Sequence, residues 1–125
     1  MINVYGLKNC DTCRKATYWL NELGVKHVFH DLRQEPLDEK TLNAWLKELG
    51  SATLVNRRST TWRGLTPEQQ AKAAEVADAC ALLLKHPALM KRPVFDLHTE
   101  LLVGFSEKER RALSKHQEQL ASRPC

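Results

Sequence analysis

No stretch of this chain approaches the ~18 consecutive apolar residues of a bilayer-spanning helix, so no membrane partner is expected. The opening residues, Met1-Ile2-Asn3-Val4-Tyr5-Gly6, lack the basic segment and apolar run of a secretion signal, which predicts a cytoplasmic protein. A block of basic residues is also missing. Lys and Arg number 19 against 15 Asp and Glu, a formal net charge of +4, but the two signs are interleaved. Nucleic acid is therefore not an expected partner, whereas a small anionic substrate, a peptide carboxylate or an oxyanion, suits the charge. Internal repeats and low-complexity segments are absent. Cysteine is scarce, with four residues in 125. A chain of this length with 42% hydrophobic residues can build one core without disulfide staples, and reducing compartments disfavour such staples.

What is present begins with a short β-rich run, Ile2 to Tyr5, ended by Gly6. From Asp11 the period changes: Ala16, Trp19, Leu20 and Leu23 recur at helical steps, and Gly24 stands at the stop position. Val25 to Leu32 alternates apolar and polar as a second strand. The resulting β-α-β unit favours parallel pairing with a right-handed crossover. Pro36-Leu37-Asp38 opens the next helix, whose stripe is Leu42, Trp45, Leu46 and Leu49, closed by Gly50. Ser51 to Leu65 is turn-rich and shows neither period. Thr66-Pro67-Glu68 starts a helical stretch to His86, broken near Ala74, with Ala77, Leu82 and Leu83 inward. Val94–Leu97 and Leu101–Gly104 read as an antiparallel hairpin around His98-Thr99-Glu100. Ser106 and Glu109 form a capping box for a last helix to about Leu120, after which Ser122–Cys125 is expected to fray. The order β-α-β, helical block, β-β-α predicts a single α/β domain. Its thioredoxin-like core with a mixed sheet spans about 1–35 and 88–120, and a helical insertion spans about 36–87.

Two of the cysteines, Cys10 and Cys13, share one C-x-x-C. Cys10 falls just after the first strand and just before the first helix. Backbone N–H groups at a helix start have no helical partner, and the helix dipole adds partial positive charge; both favour a thiolate. Lys8, Arg14 and Lys15 push the same way, so Cys10 is expected to ionise below the ~8.5 of a free cysteine. It is then a nucleophile for a disulfide, an oxyanion or another electrophile. Cys13, one turn on, either attacks a mixed disulfide formed at Cys10 or is a packing residue. C-x-x-C is also half of a zinc site, but Cys80 and Cys125 lack the spacing of a second pair, and no histidine pair of the required spacing stands near a cysteine. No metal is expected. His27 and His30 read as rim or surface residues, Cys80 as core and Cys125 as incidental.

Lys91-Arg92-Pro93 precedes the third strand, where a proline marks an edge, a turn or a cis bond. In a core of this type that loop lies beside the nucleophile. Arg92 either holds an anionic substrate or steadies the thiolate with its forked, permanent charge, or it is a solvated surface residue. Arg57, Arg58 and Arg63, with Thr60 and Thr61, are binding groups on an irregular loop or a solvated connection. Trp19, Trp45 and Trp62 read as core.

Taken in order, Asn9-Cys10-Asp11-Thr12-Cys13-Arg14-Lys15-Ala16, Gly24-Val25, Phe29-His30-Asp31, Asn56-Arg57-Arg58-Ser59-Thr60-Thr61-Trp62-Arg63, Lys91-Arg92-Pro93 and Leu102-Val103-Gly104-Phe105 resemble the ArsC-type arsenate reductase family. The resemblance covers essentially the whole chain and is nearest the Spx/YffB branch. It implies a thioredoxin-like fold with a helical insertion and Cys10 as the nucleophile of a thiol-disulfide reductase. Glutathione is then the co-substrate. Separately, no bound cofactor and a monomeric protein are expected. The resemblance further implies that Arg92 flanks Cys10 as a catalytic partner and that the Arg92-Pro93 bond is cis. Asn9, Asp11, Thr12, Arg14, Arg58 and Pro93 are implied to line the substrate site. Arsenate reductases of this type resemble one another in a third arginine on the last strand. Here Leu101-Leu102-Val103-Gly104-Phe105 carries none, which weighs against arsenate. The Spx branch implies an alternative, a redox-switched protein that binds RNA polymerase. The sequence leaves open whether Cys13 or glutathione resolves the intermediate.

Overall fold

Alternation in strand β1 (Ile2–Gly6) buries Ile2, Val4 and Gly6 and leaves Asn3 and Tyr5 half-buried, the period-two signature of a pleated strand. In the structure, a computed structural model that describes residues 1–121, the last two by backbone only, β1 is central. The sheet order is β2-β1-β3-β4, with β2 His27–Asp31, β3 Val94–Asp96 and β4 Leu101–Val103. β3 runs antiparallel to β1, pairing Asn3 with Asp96 and Tyr5 with Val94. β4 runs antiparallel to β3, pairing Val94 with Val103. The sheet is mixed.

The chain divides into two units. The first combines residues 1–30 with those from Arg92 onward. Helices α1 (Asp11–Glu22) and α7 (Glu107–Ala121) bring Ala16, Leu20 and Leu113 into one cluster with Ile2, Val4, Val25, Phe95 and Leu97. Trp19, Phe29, Leu102 and Phe105 pack against it, and the Trp19 ring meets Phe105 edge-on at 5.6 Å. The Glu109 carboxylate accepts the Ser106 N–H at 2.9 Å and the Ser106 hydroxyl at 2.7 Å at the start of α7.

The second unit, Asp31–Lys91, is helical. It holds α2 (Glu39–Leu49), α3 (Ser51–Leu54), α4 (Thr60–Arg63), α5 (Pro67–Lys72), α6 (Val76–Lys85) and a 3-10 turn at Pro87–Leu89. Helix α2 packs on α6, burying Leu42, Trp45 and Leu46 with Ala79, Cys80, Leu82 and Leu83. Asp38 caps α2 by accepting the Thr41 N–H at 2.7 Å, and Thr66 and Gln69 form a reciprocal capping box on α5.

Two expectations need correction. Ser51–Leu65 is not without helical structure: it contains α3 and α4, each a single turn, too short for a 3.6-residue period to register. Ser59 caps α4 by accepting the Trp62 N–H at 3.1 Å. Ala77 is exposed rather than inward, because α6 begins only at Val76 and turns Ala79 and Cys80 into the core instead. The expected fraying of Ser122–Cys125, and Cys125 itself, lie outside the described residues. Among the described residues no helix is long and apolar enough to cross a membrane.

Candidate active site

Gly6 ends β1, and a tight turn follows in which the Cys10 N–H donates to the Leu7 carbonyl at 3.1 Å. Cys10 is the N-cap of α1, with extended backbone (φ −94, ψ 121), and its carbonyl accepts the Arg14 N–H at 3.0 Å. Its side chain is half-exposed at the leading end of a three-turn helix. The antiparallel register decides what faces it. Because Tyr5 pairs with Val94, the residues just before Val94 lie beside the end of β1, where the chain turns into α1. Those residues are Arg92, half-buried, and Pro93, fully buried, joined by a cis peptide bond. The Gly104 N–H donates to the Pro93 carbonyl at 2.8 Å and ties this corner to the end of β4.

Burial pushes the Cys10 thiol up, but it is outweighed, and the net shift is downward. The counteracting groups are the Cys13 backbone N–H, the Cys13 thiol, and the Arg92 guanidinium, which acts both as donor and as charge. The Cys10 sulfur makes no side-chain cap of ordinary hydrogen-bond geometry; these donors act by standing close to the anion.

Cys13 differs in every respect. It is 1% exposed, and its thiol is pushed up to about 12, first by burial and then by the charge and hydrogen bond of Cys10. The Leu7 amide donates to its sulfur and opposes part of that rise. A Cβ placed on Gly6 would collide with the Cys13 sulfur, so glycine is required for the close approach. Gly6 read in the sequence only as a strand end. The available signal was a glycine a few residues before a C-x-x-C.

The structure thus gathers Cys10, Cys13, Arg92 and Pro93. Asn9 and Thr12 are exposed on the same turn. Asp11 and Arg14 pair with each other on the outer face of α1, and Lys8 and Lys15 are exposed. The cation that acts on Cys10 is Arg92 rather than the flanking Lys8, Arg14 or Lys15. Arg58 belongs to the second unit, where its N–H donates to Asn56 Oδ1 at 3.1 Å. With Arg57 and Lys91 it lines a cationic cleft of about 350 Å³, and Arg57 lies 5.6 Å above the Trp62 ring. Cys80 is buried, its thiol toward the Glu39 carbonyl at 3.9 Å. His30 stacks on Tyr5 at 4.7 Å.

Proteins similar to this chain run along nearly all of it. An uncharacterized protein of Haemophilus influenzae is 43% identical over 112 residues, 90% of this chain and 97% of that protein. The global transcriptional regulator Spx of Streptococcus pneumoniae is 30% identical over 114 residues, 90% of this chain and 84% of the regulator. The solved structure of a YffB protein, 39% identical, superimposes with a TM-score of 0.83 and covers 90% of this chain and 97% of its own. The fold is the thioredoxin-like α/β fold of these relatives. Residues 5–113, which take in every side chain gathered around Cys10, match the ArsC family, and the chain belongs to that family.

Proposed function

We propose that the chain is a cytoplasmic, monomeric thiol-disulfide reductase that uses Cys10 as nucleophile and glutathione as co-substrate. One observation carries the reading: of two neighbouring cysteines, the half-exposed one is held toward its anion and the buried one toward its thiol. The thiolate is the attacking species in disulfide exchange. The Cys10 thiolate attacks one sulfur of a substrate disulfide, forming a Cys10 mixed disulfide and releasing the other half as a thiolate, which takes a proton from water. A second thiolate, from glutathione or Cys13, then attacks the mixed disulfide. If glutathione attacks the sulfur of the bound half, Cys10 leaves as its thiolate and the bound half ends in a disulfide with glutathione; if Cys13 attacks the Cys10 sulfur, the bound half leaves as a thiolate and a Cys10–Cys13 disulfide remains for a further thiol to reduce. Arg92 faces the carboxylate or departing thiolate of such a substrate with a charge that no accessible pH removes.

Arsenate suits the site less. Arg92 is the one guanidinium acting on Cys10 among the described residues, and β4 offers only Leu101, Leu102 and Val103. A multiply charged oxyanion needs more forked donors than this. The Cys10→Ser variant, assayed with glutathione and a small disulfide, is expected to lose turnover; wild-type activity in that variant ends the enzyme reading.

The 30% identity to Spx favours a second reading, a redox-switched regulator that binds RNA polymerase. Capture from cell extract with oxidised and reduced protein separates the two. Retention of polymerase in one redox state alone supports the regulator.

A further inference from the structure

We infer that the outer edge of β2, with the cleft between β2 and α1, takes an extended acidic segment of a partner protein as an added strand, whatever reaction Cys10 carries out.

The backbone sets up the edge. The sheet order leaves β2 at one margin, bonded on one side, to β1, among the described residues. The Ile2 N–H donates to the Lys26 carbonyl at 3.2 Å, so the backbone groups of Lys26, Val28 and His30 turn toward β1. By the alternation of a parallel ladder, those of His27 and Phe29 turn outward. An open row of this kind is a template for another chain, and proteins blunt it with lysine, proline or brevity. The opposite margin is blunted, since β4 has only three residues. β2 has five, His27-Val28-Phe29-His30-Asp31, without lysine or proline.

The side chains beside that edge point the same way. Between β2 and α1 lies a cleft of about 320 Å³. Leu7 and Phe29 give it apolar lining, and Asn21 and His27 give it polar lining. The His27 Nδ1–H donates to the Val25 carbonyl at 2.9 Å, which leaves Nε2 for a ligand. One helical turn beyond Arg14, Tyr18 is 68% exposed. A ring of this amphipathic kind commonly anchors an interface. In strand addition, main-chain hydrogen bonds supply affinity and a pocket for alternate side chains supplies selectivity; β2 and this cleft offer both.

Charge selects the occupant. Lys8 and Arg14 line the cleft, and Lys26 is exposed at the head of β2. Arg14 shares its charge with Asp11. Among the described residues the lining holds no carboxylate. An acidic extended chain therefore meets complementary cations along with the outward backbone row. A second copy of this chain would bring the same cations to the seam twice, which disfavours self-pairing.

The probe is a fluorescein-labelled decapeptide of alternating valine and glutamate, followed by anisotropy. Two controls accompany it: the same peptide with lysine for glutamate, and the same peptide with its backbone N-methylated. Both controls are expected to bind weaker by on the order of tenfold or more. In amide hydrogen exchange read by NMR, the His27 and Phe29 N–H groups are expected to exchange freely in wild type alone and to become protected when the valine–glutamate peptide is added. Lys8→Glu and Tyr18→Ala, both at exposed positions, should each lower affinity about fivefold, with circular dichroism confirming folded protein. Equal binding of the three peptides, or binding of none, overturns the proposal. So does binding that leaves His27 and Phe29 unprotected, with spectral shifts centred instead on Arg57, Arg58 and Lys91. A dimer in sedimentation that already protects those amides without peptide overturns it in favour of self-pairing.

Discussion

At the scale of single residues the site is an arrangement of unlike partners around one sulfur. Among the described residues Arg92 is the permanent charge acting on Cys10, and its effect has a definite sign. A cysteine whose ionisation is lowered reacts above its own lowered pKa, and reactivity fades as pH falls through that value. Arg92→Ala should therefore move the acid limb of Cys10 alkylation to higher pH. Arg92→Lys should recover part of the difference, because it keeps the charge and loses the fork. Coincident profiles for wild type and Arg92→Ala would contradict the placement of this side chain. Gly6 has a different sensitivity. Gly6→Ala forces a methyl group into the Cys13 sulfur, and overpacking of this kind costs about 1–3 kcal/mol. A urea midpoint unchanged by Gly6→Ala would show that the sulfur is free to move aside.

Elements differ in how plainly the sequence announces them. The turn from β1 into α1 was legible because strand period, Gly6 and helix period follow one another within a few residues. The same is true of α7, whose start is written in Ser106 and Glu109, and of the β3–β4 hairpin. Single-turn helices α3 and α4 were not legible, since four residues cannot show a helical repeat and their caps compete with turn chemistry. The break between α5 and α6 was visible, but Ala77 and Ala79, two residues apart, stand on nearly opposite sides of the helix, and the pattern alone chose the wrong one for the core. Where a cap is explicit, its contribution is testable: Thr66→Ala removes the acceptor for the Gln69 N–H and should cost about 1 kcal/mol. A melting temperature equal to wild type would mean that α5 takes its stability from packing alone.

Across the whole chain, the chemistry depends on two segments far apart in sequence. Cys10 and its helix could be read locally. The cation that lowers its pKa could not, because proximity in sequence points to Lys8, Arg14 and Lys15 and only the pairing of β1 with β3 brings Arg92 to the sulfur. Such pairing is non-local, so its loop-closure entropy must be met by burial once the strands meet. Phe95 lies at the centre of that burial, fully enclosed and paired opposite Val4. Phe95→Ala should destabilise the protein by about 3–5 kcal/mol, a large share of the roughly 5–15 kcal/mol that folded domains possess. If the β1–β3 register assembles the site, structure and reactivity must fail together. In urea, the Cys10 alkylation profile of Phe95→Ala should revert to that of a free cysteine over the same range in which the sheet unfolds by circular dichroism. A thiolate that stays activated after the sheet has melted would mean that the helix end alone supplies the activation and that Arg92 is a bystander.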